Sequence, residues 1–95
     1  MSTYYVVNSS IDDPELLDEY VQAAGATLGI VPVKVLAVDT ESKTIEGVPP
    51  GPRTVILEFE RDDDFETWYR SPGYQAIIGK RLAATTGFGV LVKGR

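Results

Sequence analysis

The chain has 95 residues, with nine lysines and arginines against fourteen aspartates and glutamates, a formal net charge of −5, and no cysteine or histidine. That length bounds a single domain over residues 1–95 with a modest core, which a partner subunit would naturally supplement. The acidic balance argues against nucleic acid and against an anionic membrane surface, and the missing residue types exclude disulfides, thiolate nucleophiles, the usual general base and the commonest metal ligands. Hydrophobic residues at 43% and charged residues at 24% are ordinary soluble usage. No apolar run approaches the roughly 20 residues of a membrane span, and the start of the chain lacks a signal-peptide pattern, so a cytoplasmic protein is expected.

Thr3 to Ser9 is rich in β-branched and aromatic residues and reads as the first strand. Asp12-Asp13-Pro14-Glu15 reads as a helix start, with a capping aspartate, proline at the first helical position and acid in the first turn. Leu17, Tyr20, Val21, Ala24 and Leu28 make one apolar stripe that carries this helix to about Gly29. Ile30 to Val38 reads as the second strand, with Pro32 at its start or on an edge. Asp39 to Arg53 is a turn-rich connector, stiffened by Pro49-Pro50-Gly51-Pro52, with a short extended piece at Lys43 to Glu46.

Arg53 to Glu60 is the third strand. Asp62-Asp63-Asp64 caps a helical turn that holds Phe65, Trp68 and Tyr69. Ser71-Pro72 breaks that helix, because the residue before proline avoids the α region, and it caps the next one. The new helix carries Tyr74, Ile77, Ile78, Arg81 and Leu82 on one side. Gly87 to Lys93 is the last strand.

The order strand, helix, strand, strand, helix, strand predicts a ferredoxin-like α+β fold, βαββαβ, with a four-stranded antiparallel sheet and both helices on one face. Alternation in the third strand sets Val55, Leu57 and Phe59 against Thr54, Ile56 and Glu58. The first and last strands are apolar on both sides too. A helix-free face of that kind predicts a second sheet against it, and so a homodimer.

The run Trp68-Tyr69-Arg70-Ser71-Pro72-Gly73-Tyr74-Gln75 with Arg81, together with Ile45-Glu46-Gly47 and Thr54 to Phe59, resembles the family of unknown function DUF1330. The resemblance covers nearly the whole chain. It implies a dimeric α+β barrel built from ferredoxin-like protomers, and it supplies no established activity. Gly73 stands where the family usually has an acid. Val38-Asp39-Thr40 stands where the family often has arginine and paired glycines.

Glu58 is a charge in an apolar strand and needs a partner. Arg81 is one candidate and Arg53, at the start of the same strand, is another. One reading makes Glu58 a proton acceptor and Arg81 an anion clamp, the catalytic pair of a pocket. The other makes them a structural ion pair. Tyr5, Tyr20, Trp68 and Tyr74 have the same two readings, as ligand-binding walls with orienting hydroxyls or as core packing.

The aspartate run lacks the alternating ligands of a calcium loop, Gly87-Phe88-Gly89 is no phosphate loop, and Ser71 has no base to activate it. No metal and no organic cofactor are expected. Two functions stand: a protein that binds or transforms a small organic molecule, and an assembly dimer with no ligand. RNA binding is disfavoured, because Thr54 to Glu60 lacks the basic, glycine and aromatic pattern on which such domains stack bases.

Overall fold

The computed structural model describes residues 2–95. Its elements run β1 (Thr3–Ser9), α1 (Pro14–Thr27), a 3₁₀ turn (Leu28–Ile30), β2 (Val33–Asp39), β3 (Arg53–Phe59), α2 (Asp62–Tyr69), α3 (Pro72–Gln75), α4 (Ile78–Ala84) and β4 (Gly87–Lys93). The strands form one antiparallel sheet in the order β2-β3-β1-β4. This is the expected ferredoxin-like α+β arrangement. Among the described residues no helix is long and apolar enough to cross a membrane.

Local chemistry explains the joints. Asp13 caps α1 by accepting from the Leu16 N–H at 3.1 Å, and Pro14 follows at the first helical position. Ser71 is extended, accepts from the Tyr74 N–H at 3.2 Å and donates to the Trp68 carbonyl at 2.7 Å. One side chain therefore closes α2 and opens α3.

Several expectations are corrected. The aspartate run does not cap α2; Arg61 holds that position and Asp62, Asp63 and Asp64 fill the first turn, where they complement the helix dipole. The helix after Ser71-Pro72 is two short segments that part at Ala76 and Ile77, and Leu82 is exposed rather than packed. Lys43 to Glu46 forms no strand. The 3₁₀ turn takes Ile30, so β2 begins only after Pro32.

Alternation aims Thr3, Tyr5, Val7 and Ser9 of β1, and Arg53, Val55, Leu57 and Phe59 of β3, at the helices. A β-bulge in β2 breaks the pairing register between Val35 and Ala37. The extra residue, Leu36, shifts the parity, so Val35 and Val38 both face the helix side. The core between sheet and helices is largely aromatic. Trp68 and Tyr74 have ring centroids 4.1 Å apart, and Tyr5 and Phe65 are 4.9 Å apart.

Candidate functional site

The core does not fill the space between α1 and the β2–β3 side of the sheet. A cavity of about 170 Å³ remains there, with Tyr20, Val21 and Ala24 of α1 on one side and Val35, Val38 and Leu57 of the sheet on the other. Tyr5 and Trp68 also line it. Val21, Val35 and Val38 are half exposed and form an apolar rim at the open side. The β2 bulge aims both β2 valines there. Trp68 is held by its indole N–H, which donates to Thr27 Oγ1 at 2.9 Å.

Two cations reach this cavity. Arg53, the first residue of β3, is 5% exposed, and Arg81 of α4 is 8% exposed. Arg53 Nη1 and Arg81 Nε are buried without a hydrogen-bond partner among the described residues. Among the same residues, neither arginine forms an ion pair; the four pairs present involve other groups. Burial pulls the Arg53 guanidinium down from its ordinary value and the nearby Arg81 charge adds to this, yet arginine stays protonated in proteins.

The phenols complete the polar end. Tyr20 and Tyr74 share a buried hydrogen bond of 2.7 Å between their hydroxyls. Burial pushes the pKa values of Tyr5, Tyr20 and Tyr74 up. At neutral pH these groups are therefore uncharged donors rather than bases.

The structure brings Tyr5, Tyr20, Trp68 and Arg81 together around the cavity. Tyr74 is fully buried behind it, bonded to Tyr20 and packed on Trp68, which both line it. The expected Glu58–Arg81 pair does not form. Glu58 pairs with Tyr4 and Lys34 across the sheet, one residue out of phase with Leu57, and so lies on the helix-free face. There, hydrogen bonds from Ser2 and Tyr4, with the Lys34 charge behind them, hold its carboxyl below the ordinary range.

Arg53 is the residue that sequence reasoning undervalued. It shares the parity of Val55, Leu57 and Phe59, and that signal was available to place it under the helices. The Asp39–Arg53 connector does not close over the cavity. Apart from Arg53 itself, none of residues 40–53 lines it, and Ile45 and Val48 are exposed. Among the described residues, no group of three or more histidine, cysteine, aspartate or glutamate side chains is placed to hold a metal.

The model of a family described as a domain of unknown function, DUF1330, matches residues 2–95. No curated protein matches the chain. A protein of unknown function from Rhodopseudomonas palustris superposes with a TM-score of 0.81 at 15% identity, over 99% of this chain and 82% of that one. SnoaB, a cofactor-independent oxygenase from Streptomyces nogalater, superposes with a TM-score of 0.71 at 15% identity, over 99% of this chain and 93% of that one. A dimeric protein of unknown function and ferredoxin-like fold from Bacteroides fragilis gives 0.66 at 13% identity, over 98% and 96%. At such identities the likeness shows the fold alone.

Proposed function

The chain belongs to DUF1330, a family of unknown function, and we propose from the site itself that it binds a small organic molecule in the cavity beneath α1. One observation carries this reading: a mostly apolar cavity beside the sheet has its polar end made by two buried arginines. Ligand sites commonly combine apolar walls with a few convergent polar groups. Tyr5, Tyr20 and Trp68 wall the ligand and Arg81 orients it.

We place the protein in the cytoplasm as a homodimer, two protomers closing into an α+β barrel through their helix-free sheet faces. Tyr4, Val6, Ile56, Phe88, Val90 and Val92 make that face apolar, and the Bacteroides fragilis relative is described as dimeric. Should the bound molecule also be transformed, the cavity offers neutral phenols and cations but no carboxylate base. The proton acceptor would then be the ligand itself or solvent, and Glu58 has no part in it. The description of SnoaB as a cofactor-independent oxygenase supports chemistry without metal or organic cofactor on this fold, by analogy.

The test is a thermal-shift screen with single-ring and short branched compounds, charged and neutral, on the wild type and on Val35→Trp. Val35 is 53% exposed at the rim, so the larger side chain blocks the cavity without overpacking the core. A rise in Tm that the variant abolishes is the expected result. No shift with any compound, or a shift that survives the substitution, would overturn the reading and leave an assembly dimer.

A further inference from the structure

We infer that the ligand is a small organic acid whose carboxylate is received jointly by Arg53 and Arg81, with an apolar body of about one ring against Leu57 and Trp68. This rests on the cavity reading above and narrows it to a chemical class. A buried charge without a counter-charge is costly, and buried charges in proteins are normally paired. Here two like charges border one cavity, more than nine-tenths buried, with no carboxylate of the described residues paired to either.

The orphaned groups cluster. Among the described residues, the buried side-chain atoms without a partner are Ser9 Oγ, Arg53 Nη1, Arg81 Nε and Asp64 Oδ2. Ser9 is the cross-strand partner of Arg53, and it shares a second cavity of about 120 Å³ with Arg81. Three of the four atoms, all capable of donating, therefore belong to neighbouring residues at one end of the sheet. Arg53 and Arg81 line the ligand cavity and Ser9 lies on the adjoining one, so the two arginine donors point to an acceptor held in common. The hydroxyl of Tyr20, already hydrogen-bonded to Tyr74, also lines the cavity.

The remaining walls choose among anions. Two guanidinium forks match the two oxygens of a carboxylate. Beyond the two arginines and the phenols of Tyr5 and Tyr20, the walls made by Leu57, Val55 and Ala24 offer nothing to the further oxygens of a free phosphate but can cover hydrocarbon. The volume of about 170 Å³ is close to that of a cavity of roughly 150 Å³ known to admit benzene. A ring or short branched chain fits that space.

Calorimetric titration at neutral pH tests the inference with benzoate, phenylacetate and isovalerate, each beside its primary amide, and with inorganic phosphate. At least one acid should bind saturably and about tenfold or more tighter than its amide, as hydrogen bonds to a charged group imply. It should shift the Nε–H signals of Arg53 and Arg81 in ¹⁵N spectra of the wild type, a readout that needs no variant. Arg53→Met and Arg81→Met should each remove the acid's advantage and leave amide binding in place. Equal affinity for acid and amide would overturn the inference while sparing the cavity reading. Phosphate binding as tight as the acids would overturn the organic-acid class. If neither acids nor amides bind, both readings fall.

Discussion

The hydroxyl oxygens of Tyr20 and Tyr74 lie 2.7 Å apart in the buried core. Their rings meet edge to face, with centroids 6.2 Å apart. The bond ties α1 to the short α3 immediately after the Ser71-Pro72 joint. It also places one phenol of the pair at the cavity and the other behind it. The joint therefore reaches the candidate site through this hydrogen bond on one side and through Trp68, which lines the cavity and packs on Tyr74, on the other.

Removing both hydroxyls should cost less than the two single removals added together. Tyr74→Phe leaves the Tyr20 hydroxyl buried and unpaired, a cost of about 1–3 kcal/mol, and Tyr20→Phe does the converse. The double substitution replaces a polar pair by an apolar one and should be milder than the sum, with a coupling of about 0.5–3 kcal/mol. Urea unfolding of the four proteins measures this. Additive losses would show that the hydroxyls do not interact.

Stability should fall on the alkaline side. Burial raises the phenol pKa values of Tyr5, Tyr20 and Tyr74 above the ordinary 10.0. Below about pH 10 the native and unfolded chains hold the same phenol protons, so these groups leave stability unchanged. Above it the unfolded chain releases protons that the native chain keeps, and stability drops as pH rises toward the native pKa values. The urea midpoint should decline from about pH 10 upward, and less steeply in the Tyr20→Phe/Tyr74→Phe double variant. Equal slopes in the two proteins would mean that these two phenols titrate normally when folded.

Much of this fold could be read locally. Thr3 to Ser9 and Gly87 to Lys93 coincide with their strands, the first as a β-branched and aromatic run without a breaker and the second because Phe88, Val90, Leu91 and Val92 outweigh its two glycines. Asp13 and Ser71 announce their helices by capping chemistry that acts within three residues. The site was harder, because it depends on which sheet face the helices cover and on one-residue shifts in pairing. Parity alone separates Glu58 from Arg81, and the same parity places Arg53 beside the cavity. The β2 bulge has no clear mark in Val33 to Asp39, yet it decides that Val38 faces the cavity. Leu82 has the right spacing for the core, but the break at Ala76 and Ile77 turns its face outward.

Gly89→Ala should disturb Tyr5 directly. A Cβ on Gly89 would stand 2.6 Å from the Tyr5 hydroxyl oxygen and 2.8 Å from its ring. The ring cannot easily retreat, since Phe65, Trp68 and Tyr69 surround it. Overpacking of this kind costs about 1–3 kcal/mol. Because Tyr5 lines the cavity, ligand affinity should fall as well. Chemical unfolding and titration of whichever acid binds the wild type measure the two effects. Unchanged stability would mean that the Tyr5 ring moves freely.

A single charge on the helix-free face should separate the protomers. Ala37, Ile56, Val6 and Val90 are cross-strand neighbours in sequence, forming a row over all four strands on that face. Val90 is 45% exposed in the protomer, so Val90→Asp costs the isolated fold little. In a barrel dimer the same carboxylate would be buried twice without a partner, at several kcal/mol. The dissociation constant should rise by about a hundredfold or more. Sedimentation velocity across a concentration series, with far-UV circular dichroism to verify folding, measures this. A wild type that sediments as a monomer, or a Val90→Asp variant that stays dimeric, would show that the sheets do not meet through this face. Glu58 is the internal control. It lies on the same face, opposite the cavity, with Tyr4 and Lys34 as its cross-strand neighbours, so Glu58→Gln should leave ligand affinity at the cavity unchanged.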